Sequence, residues 1–213
     1  IHQNKPEKIF TCGGDCSSDY AQLAYLNDLY KGDMALIWID AHADLNTPES
    51  SPSGNFHGMT LRCLTGVGPD ALANRVKTPL KPEQLLFSGL RSIDPEEVRY
   101  LENNNIPVFT TEQTRNGAAL EAEFPSKNLY VHVDIDSLDQ SVFNHCATPT
   151  SGGFMLDELT GLIQGLFDKY NVIGGCLTEY GPQEPGAFAD VVETLLFEGF
   201  KVQKNFAAQK AAA

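Results

Sequence analysis

Six strand-length apolar runs alternate with longer helical patterns in this chain, and that alternation leaves few folds open to it. The runs are Lys8 to Gly13, Met34 to Ile39, Leu85 to Gly89, Pro107 to Thr111, Asn128 to Val133 and Val172 to Leu177. Helix signatures lie between them, over Ser18 to Tyr30, Pro95 to Asn103, Gly117 to Phe124, Leu156 to Tyr170 and Pro185 to Phe200. Strands covered on both faces read as continuous apolar runs, so the expected class is α/β with a mostly parallel central sheet. With 42% hydrophobic residues in 213, the chain can bury an ordinary core. No linker or internal repeat divides it, and the polar segment 201–213 is expected to carry no structure.

Charge narrows the partners. The 28 acidic and 15 basic side chains leave a formal net charge of −13, which opposes binding to nucleic acid or to an anionic membrane. No apolar run approaches the roughly 20 residues that span a bilayer, and no signal peptide opens the sequence. Five cysteines without CxxC spacing read as reduced thiols in a cytoplasmic setting rather than a disulfide framework. The chain opens on Ile1 rather than Met, so its first residue is read as an interior or processed position.

Three polar features follow directly on predicted strands, where an open α/β sheet places its ligand crevice. Asp40, His42 and Asp44 come after ALIWI, spaced so that an extended backbone turns all three to one side. Asp134 and Asp136 come after LYVHV with the same i, i+2 spacing, and Asp139 lies just beyond. Asp and His at such positions also cap helices and close turns. Two clusters of ionised carboxylates at strand ends, however, repel one another unless a cation sits between them. Mixed oxygen and nitrogen ligands suit manganese, iron, cobalt or zinc better than magnesium, and a pair of such ions generates hydroxide for attack on an electrophilic carbon. The third feature is Gly13-Gly14-Asp15-Cys16-Ser17. Its glycines permit a tight turn, and a following helix N-terminus would favour a Cys16 thiolate; Cys16 then reads as a buried inert thiol, a metal ligand or a nucleophile. Between the first cluster and His57 runs DLNTPESSPSGNFH, without helical or strand period, as functional loops often are.

These pieces resemble the arginase (ureohydrolase) family. GGDCS, DAHADLNTPESSPSGNFHG, GLRSIDPEE, HVDIDSLD, TPTSGG and LTEYGP occur in family order from Gly13 to about Phe200. The resemblance implies a three-layer α/β/α arginase fold, with residues 1–200 as one arginase-like domain that lacks the family's N-terminal stretch. It implies two divalent metal ions, Mn2+ in the family, and hydrolysis of L-arginine to L-ornithine and urea by a hydroxide bridging them. Carried over, Cys16, Asp40, Asp44 and Asp134 would hold one ion, and Asp40, His42, Asp134 and Asp136 the other. His57 matches the proton-shuttling histidine, and Glu179 matches the carboxylate that orients the guanidinium, with Asp136 assisting the collapse of the tetrahedral intermediate. Asn46, Ser51, Ser53 and Asn55 match the grip on the substrate's α-carboxylate, and Asp94 and Glu97 the grip on its α-amino group. Neutral donors suit a carboxylate and acids suit an ammonium. A homo-oligomer, trimer or hexamer, is expected on the same resemblance.

One departure stands out. The family has histidine where this chain has Cys16, and thiolate is a softer ligand that shifts a site toward Co2+, Fe2+ or Zn2+. Three rivals to the arginase reading follow: a degenerate member that binds ligand or partner without turnover, a ureohydrolase for another guanidino compound, and a cysteine hydrolase pairing Cys16 with His57.

Overall fold

The computed structural model describes residues 1–202 apart from 2, 183, 185 and 187. All six predicted strands form: β1 (Ile9–Cys12), β2 (Ala35–Ile39), β3 (Leu85–Ser88), β4 (Val108–Phe109), β5 (Asn128–Asp134) and β6 (Asn171–Thr178). They make one sheet in the order β1-β6-β5-β2-β3-β4, and every pairing is parallel. The chain steps outward from β2 through β3 to β4, then returns to lay β5 on the other side of β2. β2 and β5 therefore flank the topological switch point, outside whose carboxyl ends a ligand crevice forms.

The central strands feed two cores. Ile37, Ile39, Val131 and Val133 enter one hydrophobic cluster, and Leu36, Trp38, Phe87 and Tyr130 enter the other. That alternation is the strand period, and β2 lies fully buried because helices cover both sides. On the first side packs α7 (Leu156–Lys169), and on the second α1 (Tyr20–Leu29) and α4 (Pro95–Asn103). The start of α4 is dictated locally: Asp94 is its N-cap, Pro95 opens the first turn, and Glu97 Oε2 accepts from the Asp94 N–H at 2.9 Å.

The short helices depart most from expectation. The α2 (Thr60–Leu64), α3 (Asp70–Ala73) and α5 (Thr111–Arg115) elements span only four or five residues each, too few to show a 3.6-residue period. The helix expected over Gly117 to Phe124 shrinks to α6 (Ala118–Glu121), and the last begins as α8 (Ala189–Glu193) and widens into a π turn over Thr194–Gly199. Pro185 lies outside the described residues. So does most of the tail; of it, Lys201 and Val202 are described, with Val202 N–H donating to Leu196 O at 3.0 Å and Lys201 Nζ meeting Asp168 at 2.8 Å. Among the described residues no helix is long and apolar enough to cross a membrane.

Candidate metal centre and substrate cavity

Both aspartate clusters are formed by the same local device. Asp40 Oδ1 accepts from the His42 N–H at 2.7 Å, and Asp134 Oδ1 accepts from the Asp136 N–H at 2.7 Å. Each aspartate thus folds the backbone back over its own carboxylate two residues on. This corrects the extended spacing expected for Asp40, His42 and Asp44. The strand stops at Ile39, and Asp44 sits at φ 53°, left-handed, a conformation Asp tolerates better than most residues.

The two turns meet. His42 Nδ1 lies 3.0 Å from Asp136 Oδ2 and 3.5 Å from Asp40 Oδ1, and the Ala41 N–H donates to Asp136 Oδ1 at 3.2 Å. Trp38 Nε1–H donates to Asp40 Oδ2 at 2.9 Å. On the far side, the Cys16 thiol donates to Asp134 Oδ2 at 3.2 Å and lies 3.5 Å from Thr178 Oγ1. Cys16, Asp40, Asp44, Asp134 and Asp136 are all buried.

Buried carboxylates set the electrostatics here. Burial raises Asp134 well above the ordinary carboxylate range, and the charges of Asp136 and Asp40 add to the effect. Asp44 and Asp136 are raised by burial and by Asp40. Burial also pushes Asp40 up, yet hydrogen bonding and charge from His132 and His42 outweigh it and leave Asp40 below its usual value. For His42, burial acts downward, but Asp136 and Asp40 carry it up to about 11. Cys16 reverses the expected thiolate: burial and the charges of Asp44, Asp134 and Asp40 raise it well above the usual thiol value, swamping any benefit from the short helical turn it opens.

Carboxylates in this state lack positive charge, and a divalent cation supplies it. Donor atoms of Asp40, His42 and Asp136 lie within 4.8 Å of one another, as do those of Cys16, Asp134 and Glu179, and those of Cys16, Asp40 and His132. Asp44 Oδ2 is buried without a hydrogen-bond partner among the described residues. An orphaned buried carboxylate oxygen beside other acids fits a cation site and fits little else.

A cavity of about 400 Å³ opens above these groups. His42, Asp44, Asp134 and Glu179 lie at its inner end, while Asn46, Ser51, Ser53, Asn55, His57, Asp94 and Glu97 complete its wall. Cys16, Asp40 and Asp136 do not line it; they touch it through Asp134 and His42. Glu179 stands at φ 62°, its N–H donating to Gly14 O at 2.8 Å. Its Oε1 is buried without a hydrogen-bond partner among the described residues and lies 3.6 Å from His57 Nδ1. Strain and an unpartnered oxygen on one residue mark a group held for a ligand.

In the wall, Glu97 is already engaged: Oε1 accepts from the Leu45 N–H at 2.8 Å and Oε2 caps α4. Asp94 Oδ2 accepts from Asn46 Nδ2 at 2.8 Å. Ser51 Oγ accepts from the Gly54 N–H at 3.0 Å, and Ser53 Oγ from the Asn55 N–H at 3.1 Å.

The residues that sequence reasoning passed over act from behind. Thr148 Oγ1–H donates to Asp136 Oδ2 at 3.1 Å. The guanidinium of Arg91 donates to the carbonyls of Gly89, Asp136, Leu138, Thr150 and Ser151, while its backbone N–H and that of Ser92 donate to Ala41 O. His132 repeats the i, i+2 spacing of Asp134 and Asp136 one step earlier on β5, and that spacing was the available signal.

Residues 2–196 match the model of the arginase family. The chain belongs to that family. It is 32% identical over 179 residues to an arginase of Staphylococcus aureus, covering 80% of this chain and 59% of that protein. It is 34% identical over 191 residues to an arginase of Plasmodium falciparum, covering 84% of this chain and 46% of that protein. It thus spans about half to three fifths of the length of these relatives. Among solved structures, the Entamoeba histolytica arginase in complex with L-ornithine superposes with a TM-score of 0.83 at 27% identity, covering 92% of this chain and 70% of that one. The Bacillus cereus arginase gives 0.82 at 28%, covering 90% and 70%. The three-layer α/β/α arginase fold follows, and with it a family whose members are metal-dependent.

Proposed function

We propose that this chain hydrolyses the guanidinium group of L-arginine to L-ornithine and urea, with two divalent ions as cofactors. The observation that carries the reading is Glu179: a strained, half-buried carboxylate whose Oε1 has no hydrogen-bond partner among the described residues, set beside Asp134 and Cys16 in a cavity lined mostly by polar side chains. A carboxylate so placed is the natural partner of a planar guanidinium fork. The Entamoeba histolytica relative holds L-ornithine, the amino acid that remains when urea leaves arginine.

Asp40, His42, Asp44, Asp134, Asp136 and Cys16 would hold the ions, with Asp40 and Asp134 shared, and Mn2+ is the first choice for the oxygen-rich half. Metal ions so held supply a water acidic enough to act as nucleophile near neutral pH. Glu179 orients the guanidinium so that its carbon faces the floor. Water adds to that carbon, the bond to the side-chain nitrogen breaks, and that nitrogen departs as an amine while the carbon leaves as urea. His57, 29% exposed and 3.6 Å from Glu179, delivers the proton that the departing amine takes up. At the outer end, Ser51, Ser53, Asn46 and Asn55 donate to the α-carboxylate, and Asp94 takes the α-ammonium; Glu97 keeps Asp94 and Leu45 in place. Agmatine has no carboxylate for the first group, which favours L-arginine.

The degenerate reading rests on Cys16 replacing an imidazole. Urea release from L-arginine, after warming the protein with Mn2+ at mildly alkaline pH, tests both. Urea production abolished by chelator supports hydrolysis; arginine binding without urea under Mn2+, Co2+ and Zn2+ in turn would replace it with binding alone.

A further inference from the structure

Behind the metal floor lies a chain of buried polar groups that the proposed reaction does not use. His132 on β5 is fully buried, its ring stacked on Trp38 with centroids 3.4 Å apart and planes 4° from parallel. Nε2 points between Cys16 Sγ, at 3.7 Å, and Asp40 Oδ2, at 3.8 Å. Nδ1 meets Asp19 Oδ2 at 2.5 Å. The other oxygen of Asp19 accepts from Tyr130 Oη–H and from Gln22 Nε2–H, and Asp19 is fully buried. Gly174 makes this possible: a Cβ there would lie 2.9 Å from the Tyr130 ring and 2.5 Å from Ile9 O.

We propose that His132 is a metal ligand, forming with Cys16 and Asp40 a nitrogen–sulfur half-site, oriented by Asp19, that takes Zn2+ or Co2+ in preference to Mn2+. The inference rests on the metal-dependent reading above and deepens it. An Asp19 carboxylate against Nδ1 holds a proton there and aims Nε2 at the site, the arrangement by which carboxylates orient metal-binding histidines. Bonds of about 2.0 Å to nitrogen and 2.3 Å to sulfur in a tetrahedral site put those two atoms roughly 3.5 Å apart, close to the separation found here. The donors of Cys16, Asp40 and His132 all lie within 4.8 Å of one another. The Asp44 Oδ2, buried without a hydrogen-bond partner among the described residues, is the independent sign that this pocket suits a cation, and its charge bears on Cys16. Thus the imidazole absent from position 16 is supplied from β5. The two halves of the centre then differ in kind, sulfur and nitrogen on one side and His42 with carboxylates on the other, and softer ions sort to the first.

The test is Co2+ binding to the full chain after removal of metals by chelator, followed by titration and absorption spectra. The wild type is expected to bind two Co2+ and to show a near-ultraviolet thiolate-to-Co2+ band that Cys16→Ser abolishes. His132→Gln is expected to bind one Co2+ and lose the band. Asp19→Asn keeps the band but weakens that ion's binding by roughly 10- to 100-fold. A His132→Gln protein that binds two Co2+ with unchanged affinity and band would overturn the inference, as would a wild type whose Co2+ shows no thiolate band. Should His132→Gln not fold, Asp19→Asn decides, and unchanged affinity would overturn the assignment. Urea measured on the same samples separates the two readings: a thiolate band without urea keeps the half-site and removes arginine hydrolysis, whereas equal urea and equal metal in His132→Gln does the reverse.

Discussion

The floor of the cavity and its outer wall hold polar groups in opposite ways. On the floor, carboxylates sit at the ends of two central strands, fully buried, each clasped by a backbone N–H two residues on. In the outer wall, Ser51, Ser53 and Asn55 lie on an exposed or half-exposed loop whose hydroxyls mostly satisfy that loop's own amides. Floor groups are shut away from water and depend on fixed protein donors, on one another and on a cation, so their loss is expected to be absolute. Wall groups trade with water, so their loss is expected to be graded.

The largest effect therefore belongs to the floor. Asp134→Ala is expected to lower urea release by roughly 10³-fold or more, the scale of removing a principal electrostatic element, and to empty at least one ion, read by metal analysis after gel filtration. A variant that kept its metals and its rate would erase the distinction between floor and wall. Next comes Glu179→Gln, which keeps the shape but removes the charge facing the guanidinium. Its kcat should fall roughly 10²-fold, within the range seen for single electrostatic contacts, while metal content stays that of the wild type; a loss of metal would make Glu179 a ligand instead. In the wall, Ser51→Ala and Asn55→Ala should each raise KM for L-arginine by roughly tenfold, about 1.4 kcal/mol for a hydrogen bond to a charged group, with kcat unchanged and agmatine turnover unaffected.

The smallest effect lies just past the floor. Asp139 accepts from the N–H groups of Ser141 and Gly152 and from the Ser141 hydroxyl, and these bonds hold its carboxyl down to about 2. A carboxyl depressed in the fold stabilises it above its unfolded value near 4 and loses that contribution as pH falls through 2. Because Asp139 is only partly buried, Asp139→Asn should cost roughly 0.5 kcal/mol at pH 6. In urea melts the gap from wild type should close between pH 4 and pH 2; a constant gap would assign it to packing.

The same contrast explains what could be read in advance. Strands buried on both faces announce themselves as apolar runs, which is why even the two-residue β4 falls inside its expected run. Asp40, His42, Asp134 and Asp136 are visible because two polar clusters directly after such runs, each of which could singly close a turn, together call for a cation. Helices of four or five residues carry no period, so α2, α3 and α5 were missed. Asp44 was found but wrongly turned, because a single left-handed residue breaks the strand rule without changing composition. His132 escapes because it sits inside an apolar run, where histidine reads as core; its spacing with Asp134 is a faint signal that gains weight when Asp19, more than a hundred positions away, meets its far nitrogen.

Arg91 gives the cavity one more property. Its side chain and backbone tie together the loops that carry Asp40, Asp136 and Asp94. The aspartates proposed to hold the metals and the aspartate proposed for the substrate's amino end are thereby set on one frame, and the gap between them becomes a calliper. On the proposed reading such a device measures chain length: a guanidino acid one methylene shorter or longer than arginine is expected to miss one jaw. It must forfeit one grip, a loss worth about 1–3 kcal/mol in discrimination.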